Sequence, residues 1–148
     1  MFLNEDVFKK IVKNTPLISI DLLIENFQGQ ILLGKRTNRP ARGFWFVPGG
    51  RIYKDETLVN AFNRLVFEEL CANISYDQAK FIGVFQHFYM DNFSEENFTT
   101  HYIVLGYKII YECDFTILPK KQHNEFKWFS KSEIFYSPVV HSNTKAYF

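Results

Sequence analysis

The feature of this sequence that most constrains its fold is an apolar stripe within residues 57–70 that contains a carboxylate. At about 100° per residue, a helix over this segment places Glu69 inside the stripe, one turn beyond Leu65. An ionised carboxylate that faces a core is costly unless it is paired or bound to a metal. We therefore expect a core-facing helix in which Glu69 has a specific partner. The stripe has the i, i+3, i+4, i+7, i+8 spacing of a buried helix face and consists of Leu58, Ala61, Phe62, Leu65 and Val66.

Length and composition indicate one globular domain over residues 1–148, since 47% of the residues are hydrophobic. The formal net charge of +1 argues against bulk electrostatic binding to nucleic acid or to a membrane surface. No apolar run approaches the roughly 20 residues of a membrane span, and no basic segment followed by an apolar one marks a signal peptide. Cys71 and Cys113 are the only cysteines. We expect a cytoplasmic protein with free thiols.

Predicted strands and helices alternate around the helix at 57–70. Asn4 is a candidate N-cap for a short amphipathic helix that ends before Pro16. Residues 80–89 and 100–111 are apolar on both faces, which predicts strands of a sheet that is covered on two sides. This mixed order indicates an α/β sandwich rather than a doubly wound sheet. The other predicted elements are strands at 17–24, 30–33 and 126–129, a helical turn at 131–135, and a proline- and glycine-rich loop at 34–50.

A run of basic residues between Gly34 and Lys54 contains no acidic residue. Arginine binds phosphate oxygens through two parallel hydrogen bonds, so this run beside a Pro-Gly-Gly turn suits an anionic diphosphate. For any single member the alternative is a solvated surface side chain. Carboxylates follow directly, which suggests that a divalent cation also holds the diphosphate. The basic residues are Lys35, Arg36, Arg39, Arg42, Arg51 and Lys54, and the acidic ones are Asp55, Glu56, Glu68 and Glu69.

Some of these charges have a simpler structural interpretation. Glu68 lies four residues after Arg64, so the two side chains can pair on the helix surface. Glu56 precedes the helix and is a further candidate partner for Arg64. We therefore expect Arg64 and Glu68 to be structural.

Two of the four histidines are of interest. His87 alternates with Phe85 and Tyr89 on a predicted strand, where a satisfied core histidine is the ordinary interpretation. His123 lies in the polar stretch 120–125, before the strand at 126–129. A loop histidine has a near-neutral pKa and can move, which suits a general base, although the position alone does not establish a catalytic role.

The segment 50–72 resembles the signature of the Nudix hydrolases. That signature has fixed spacing between its members, which are a glycine, a glutamate, an arginine, an aliphatic residue and two adjacent glutamates. Two positions depart from it, because Leu65 replaces a glutamate and Cys71 replaces a glycine. The loss of a glutamate weakens a site for several metal ions and argues against the ordinary attack on a diphosphate phosphorus. The matching residues are Gly50, Glu56, Arg64, Val66, Glu68 and Glu69.

A narrower resemblance, over nearly the whole chain, is to the GDP-mannose mannosyl hydrolase branch of that family, whose signature is modified. It implies a Nudix-type α/β/α sandwich with a mixed β-sheet. It also implies a homodimer that hydrolyses GDP-mannose or GDP-glucose to GDP and free sugar, by inverting water attack at the anomeric carbon. One Mg²⁺ or Mn²⁺ ion per subunit is implied. The segments that carry the resemblance are 34–41, 44–51, 86–89, 91–94, 98–102 and 122–123.

The resemblance also implies a role for individual residues. His123 matches the general base, and Tyr102 matches a hydrogen-bond donor to the leaving group. Asp21 and His87 match polar residues near the sugar and the base. The implied metal ligands are the Gly49 carbonyl, Glu69 and Gln122. Arg36 and Arg51 are implied to bind the substrate and to neutralise GDP, and Tyr102 also binds it. The N-terminal residues Phe2, Leu3 and Phe8 are implied to bind the substrate as well, where they reach a partner subunit near the nucleotide.

Two other functions remain open at this point. A nucleotide-sugar pyrophosphatase would cut between the phosphates, which the leucine at position 65 argues against. A non-catalytic nucleotide-sugar binding module would not need Glu69, Gln122 and His123 together.

Overall fold

The structure, a computed structural model, describes residues 2–120 and 123–148, so the predicted ligand Gln122 lies outside the described residues. Within these residues, no helix has the length and apolar character that crossing a membrane requires. The helices are α1 (Glu5–Asn14), α2 (Leu58–Leu70), α3 (Lys131–Tyr136) and α4 (Ser142–Lys145), with a 3-10 turn at Tyr76–Gln78. The strands are β1 (Leu17–Glu25), β2 (Ile31–Arg36), β3 (Trp45–Phe46), β4 (Gly49–Arg51), β5 (Lys80–Tyr89), β6 (Thr100–Ile110) and β7 (His123–Phe129).

The strands form one mixed sheet of the predicted kind. The central strand β1 runs parallel to β6 and antiparallel to β2 and β4. The sheet order is β3-β2-β1-β6-β5, with β4 paired to β1 and β7 paired to β2. Because neighbouring residues of a strand face opposite sides, Leu22 packs in the core that contains Phe62 of α2, whereas Leu23 packs with Ile134 of α3. The predicted α/β/α sandwich is confirmed.

Local chemistry fixes the ends of the two longer helices. The Asn4 side chain accepts a hydrogen bond from the Val7 N–H at 2.9 Å, as expected for the N-cap of α1. Thr57 caps α2 in the same way through the Asn60 N–H. Helix α2 ends at Cys71, whose φ of 50° lies in the left-handed region that glycine adopts most easily. This conformation explains why a glycine suits that position of the signature.

Two predictions about the strands are wrong. The supposed loop at 34–50 contains the end of β2, all of β3 and the start of β4. Strand β3 pairs with β2 and β4 pairs with β1, and these pairings are not marked by a local apolar pattern. Strand β5 is not covered on both faces. It lies at the edge of the sheet, and Val84 and Phe88 are 60% and 62% exposed. An apolar run does not by itself distinguish a central strand from an edge strand.

Candidate active site

A cavity of about 340 Å³ collects residues from the N-terminal segment and from most of the sheet. The helix α2 closes one side through Leu65 and Glu68, and β5 and β6 contribute His87 and Tyr102. The structure therefore brings together most of the residues that the sequence singled out. The predicted site residues that line the cavity are Phe2, Leu3, Phe8, Asp21, Arg36, Gly49, Arg51, His87, Tyr102 and His123.

Glu69 faces inward from α2, as the apolar stripe predicted, and is 7% exposed. Burial, with the nearby charge of Glu68, raises the pKa of Glu69 to about 7. Arg36 and the backbone N–H of Gly49 act in the opposite direction and favour the charged form. The carboxylate is thus held in an environment where an added positive charge would be strongly favoured.

The surroundings of Glu69 fit one divalent cation rather than several. Gly49 approaches β1 so closely that a Cβ there would lie 2.4 Å from the Ile20 carbonyl oxygen, so its backbone lies where a side chain would not fit. Among residues 2–120 and 123–148, no three Cys, His, Asp or Glu side chains form a cluster that could hold a metal. A carboxylate and a backbone carbonyl suit Mg²⁺, which takes few protein oxygens and keeps water and substrate phosphate as its other ligands. Leu65, where the signature has a glutamate, is 2% exposed and packs in the core.

The remaining carboxylates of the signature serve the fold, as expected. Arg64 donates hydrogen bonds to Glu56 Oε1 at 2.7 Å and to Glu68 Oε2 at 3.0 Å. It also donates to the Arg51 carbonyl oxygen at 2.9 Å. Arg64 therefore ties α2 to β4 and to the turn before the helix, and so holds the walls of the cavity at a fixed spacing.

Replacing Arg64 by alanine is expected to lower the free energy of unfolding by about 1–3 kcal/mol, because Glu56 would lose its charged partner. Hydrogen bonds from Arg64 hold the pKa of Glu56 below its ordinary value of 4.5. The difference in the free energy of unfolding that is due to Glu56 is therefore complete above pH 4.5 and disappears as the pH falls through the folded-state pKa of Glu56. Urea denaturation at about pH 7 and about pH 3 measures it.

The matched control for this prediction is Lys54→Ala. Lys54 pairs with Asp55, but the Lys54 side chain is 80% exposed and the Asp55 side chain is 81% exposed. Its removal should change stability by no more than about 0.5 kcal/mol. An equal loss in the two variants, or a loss for Arg64→Ala that persists unchanged at pH 3, would contradict the structural role.

Two of the arginines that line the cavity, Arg51 and Arg36, lie near aromatic rings. The Arg51 guanidinium lies between the rings of Phe8 and Tyr53, 5.0 Å from each centroid. The Arg36 guanidinium donates through Nε to the Pro40 carbonyl oxygen at 3.0 Å and lies 5.8 Å from the centroid of Phe46. Such stacking fixes the guanidinium plane, which prepares it for an anionic group.

The phenol of Tyr102 lines this cavity. Burial raises the pKa of Tyr102 above its ordinary value, and the charges of Arg36 and Arg51 act against that rise. The phenol therefore keeps its proton at neutral pH, as a hydrogen-bond donor must.

His123 differs from its sequence prediction. It is the first residue of β7, paired with Arg36 of β2, and is 3% exposed rather than in a polar loop. Its ring lies against Gly34, where a Cβ would come within 2.5 Å of it. Burial, followed by the charge of Arg36, lowers the pKa of His123 to about 4, not the near-neutral value expected. The imidazole is thus neutral at pH 7, with Nε2 3.9 Å from Glu69 Oε2.

A hydrogen-bonded chain behind the cavity was not anticipated. The Tyr147 hydroxyl donates to Asp21 Oδ2 at 2.5 Å and lies 3.3 Å from His87 Nε2. Burial raises the pKa of Asp21 to about 7, and Tyr147 partly offsets this rise. His87, 4% exposed, is buried as expected of a core histidine and also borders the cavity. No local pattern in the sequence marks Tyr147, since its partners are distant along the chain.

The N-terminal residues lie over the cavity of their own chain. Phe2 is 97% exposed, while Phe8 stacks on Arg51 and on Phe93. The implied contact of this segment with a partner subunit stays a prediction.

Taken together, the fold and the site define a class: a hydrolase domain whose cavity suits a nucleoside diphosphate with a divalent cation. A profile of the NUDIX domain matches residues 15–147. The chain therefore belongs to the Nudix hydrolase family, whose members generally use divalent metal ions.

A relative and two solved structures agree with this assignment. The low-salt glycan biosynthesis protein Agl8 of Haloferax volcanii is 38% identical over 125 residues, which cover 84% of this chain and 78% of the relative. A MutT Nudix hydrolase from Burkholderia pseudomallei has a TM-score of 0.69 at 23% identity, covering 90% of this chain and 96% of the other. The Nudix domain of Shewanella oneidensis NrtR, crystallised with ADP ribose, has a TM-score of 0.65 at 17% identity, covering 98% and 95%.

Proposed function

We propose that this protein hydrolyses GDP-mannose, and GDP-glucose as a second substrate, to GDP and free sugar in a Mg²⁺-dependent reaction. Water attacks the anomeric carbon with inversion, and the bond from that carbon to the phosphate oxygen breaks. One observation carries the proposal: Glu69 is a buried carboxylate, whereas position 65, where the signature has a second glutamate, is a buried leucine. A site with a single acidic ligand suits a cation that holds the leaving group, not a cluster that activates water at phosphorus.

In this proposal, different residues of the cavity activate the water, stabilise the leaving group and contact the sugar. His123, whose imidazole is neutral at pH 7, accepts the proton of the attacking water. Arg36 and Arg51 stabilise the charge that grows on the departing GDP, and Tyr102 donates a hydrogen bond to it. Asp21 and His87 lie at the sugar end.

The cation site of this proposal consists of Glu69, the Gly49 carbonyl and Gln122, which lies outside the described residues. A Mg²⁺ or Mn²⁺ ion bound there would neutralise the diphosphate and make GDP a better leaving group. No acid then needs to protonate GDP.

Two further observations support the proposal. The relative Agl8 is named for glycan biosynthesis, a process that consumes activated sugars. ADP ribose, found with the NrtR Nudix domain, is itself a nucleoside diphosphate joined to a sugar. We also propose a homodimer, because edge strand β5 exposes the apolar Val84 and Phe88. Light scattering in solution tests the dimer.

Hydrolysis in heavy-oxygen water tests the site of attack. We expect the label in the released mannose and none in GDP, because the carbon–oxygen bond breaks. Mass spectrometry of both products measures this. Label in a phosphate, with GMP and mannose 1-phosphate as products, would favour the pyrophosphatase alternative. No consumption of either GDP-sugar in the presence of Mg²⁺ would leave a binding module as the better interpretation.

A further inference from the structure

The direction of the hydrogen bond from Tyr147 to Asp21 sets the polarity of the chain that runs on to His87. A phenol carries a single proton, and Tyr147 donates it to Asp21 Oδ2. The Tyr147 oxygen must therefore accept from His87 Nε2, 3.3 Å away, so Nε2 carries the proton of the neutral imidazole. Burial raises the pKa of Tyr147 above its ordinary value, which keeps the phenol protonated.

The position of Tyr147 is fixed by contacts outside the cavity. The segment before α4 pairs with β3, where the Trp45 N–H donates to the Val139 carbonyl oxygen at 2.9 Å. Helix α4 follows, and the Tyr147 ring then packs edge-on against Phe85, with 4.6 Å between centroids. The ring would therefore stay in place if only its hydroxyl were removed.

We propose that Tyr147 is a positioning residue that fixes the orientation of Asp21 and the tautomer of His87, and thereby sets the hydrogen bonds offered to the sugar of the substrate. With this polarity, the remaining polar atoms of the two side chains, Asp21 Oδ1 and His87 Nδ1, are both acceptors. Sugar hydroxyls are donors that suit such acceptors, and both residues border the cavity. The statement about the sugar rests on the proposed function, whereas the statement about His87 does not.

Tyr147→Phe tests the effect on the sugar. We expect kcat/KM for GDP-mannose to fall about tenfold, while the inhibition constant of GDP, which has no sugar, changes by less than about twofold. Tyr136→Phe is the matched control, since Tyr136 is 78% exposed on α3, and it should change neither quantity. An equal loss for GDP-mannose and GDP, or no loss for either, would overturn the proposal.

Nitrogen-15 NMR of the His87 ring tests the chain without any ligand or turnover. We expect the Nε2–H tautomer in the wild-type protein and an altered ring signal in Tyr147→Phe. The Nδ1–H tautomer in wild type would overturn the proposal even if the variant failed to fold. If wild type consumed no GDP-sugar, the proposed function would fail, and this spectrum would still decide the role of Tyr147.

Discussion

Replacing His123 by alanine is expected to lower kcat for GDP-mannose by about 10²–10⁴-fold, the usual contribution of a general base. The affinity for Mg²⁺ should change far less, because the proposed ligands are other residues. His123→Gln, which keeps more of the volume beside Gly34, should lose kcat to a similar degree. Steady-state kinetics and Mg²⁺ titration of each variant make the comparison.

His101→Ala is the matched control for His123. It removes a histidine that stacks on Phe88, 4.3 Å away, and that does not line the cavity. Its kcat should remain within a few-fold of wild type. A His123→Ala variant with near-normal turnover would require another base. A variant that loses Mg²⁺ binding as strongly as it loses kcat would instead assign His123 to the cation site.

Replacing Glu69 by glutamine is expected to have opposite effects on activity and stability. Turnover that depends on Mg²⁺ should fall by more than about 100-fold, because the proposed cation site loses its carboxylate. In metal-free buffer the variant should be more stable than wild type. Burial raises the folded-state pKa of Glu69 from 4.5 to about 7, so ionisation destabilises the native protein. The advantage of the variant is therefore absent below pH 4.5 and complete above about pH 7.

Thermal unfolding at about pH 5 and about pH 8, with EDTA and then with Mg²⁺, measures the stability effect. At the higher pH, Mg²⁺ should raise the Tm of wild type and leave that of Glu69→Gln unchanged. Glu95→Gln is the control, since its side chain is 97% exposed, pairs with Arg39 and does not line the cavity. Equal Mg²⁺ shifts for wild type and Glu69→Gln would place the cation elsewhere.

The helix that carries Glu69 could be predicted from the sequence, because its signal is local. A 3.6-residue period places Glu69 among core residues whatever the rest of the chain does. The Thr57 cap and the ion pairs of Arg64 with Glu56 and Glu68 also involve residues close in sequence. For the same reason, the family signature could be read, since its spacing follows one turn and one helix.

The parts that were missed depend on long-range contacts. His123 looked like a loop residue because only its pairing with β2 makes it part of a strand. Tyr147 and Asp21 are 126 residues apart, and no periodicity connects them. The exposed face of β5 was mistaken for core, since apolar residues on an edge strand have the same pattern as buried ones. Composition and spacing describe one segment at a time, whereas these features belong to the assembled sheet.

The β3 pairing of the segment before α4 has a consequence for the newly made chain. Residues near position 2 cover the cavity, whereas Tyr147, which donates the hydrogen bond to Asp21, is among the last residues to be synthesised. Most of the sheet can assemble while the ribosome is still adding the last residues, but the site stays incomplete until they emerge. A nascent or prematurely terminated product that lacks position 147 would hold Asp21 without the hydrogen bond from Tyr147.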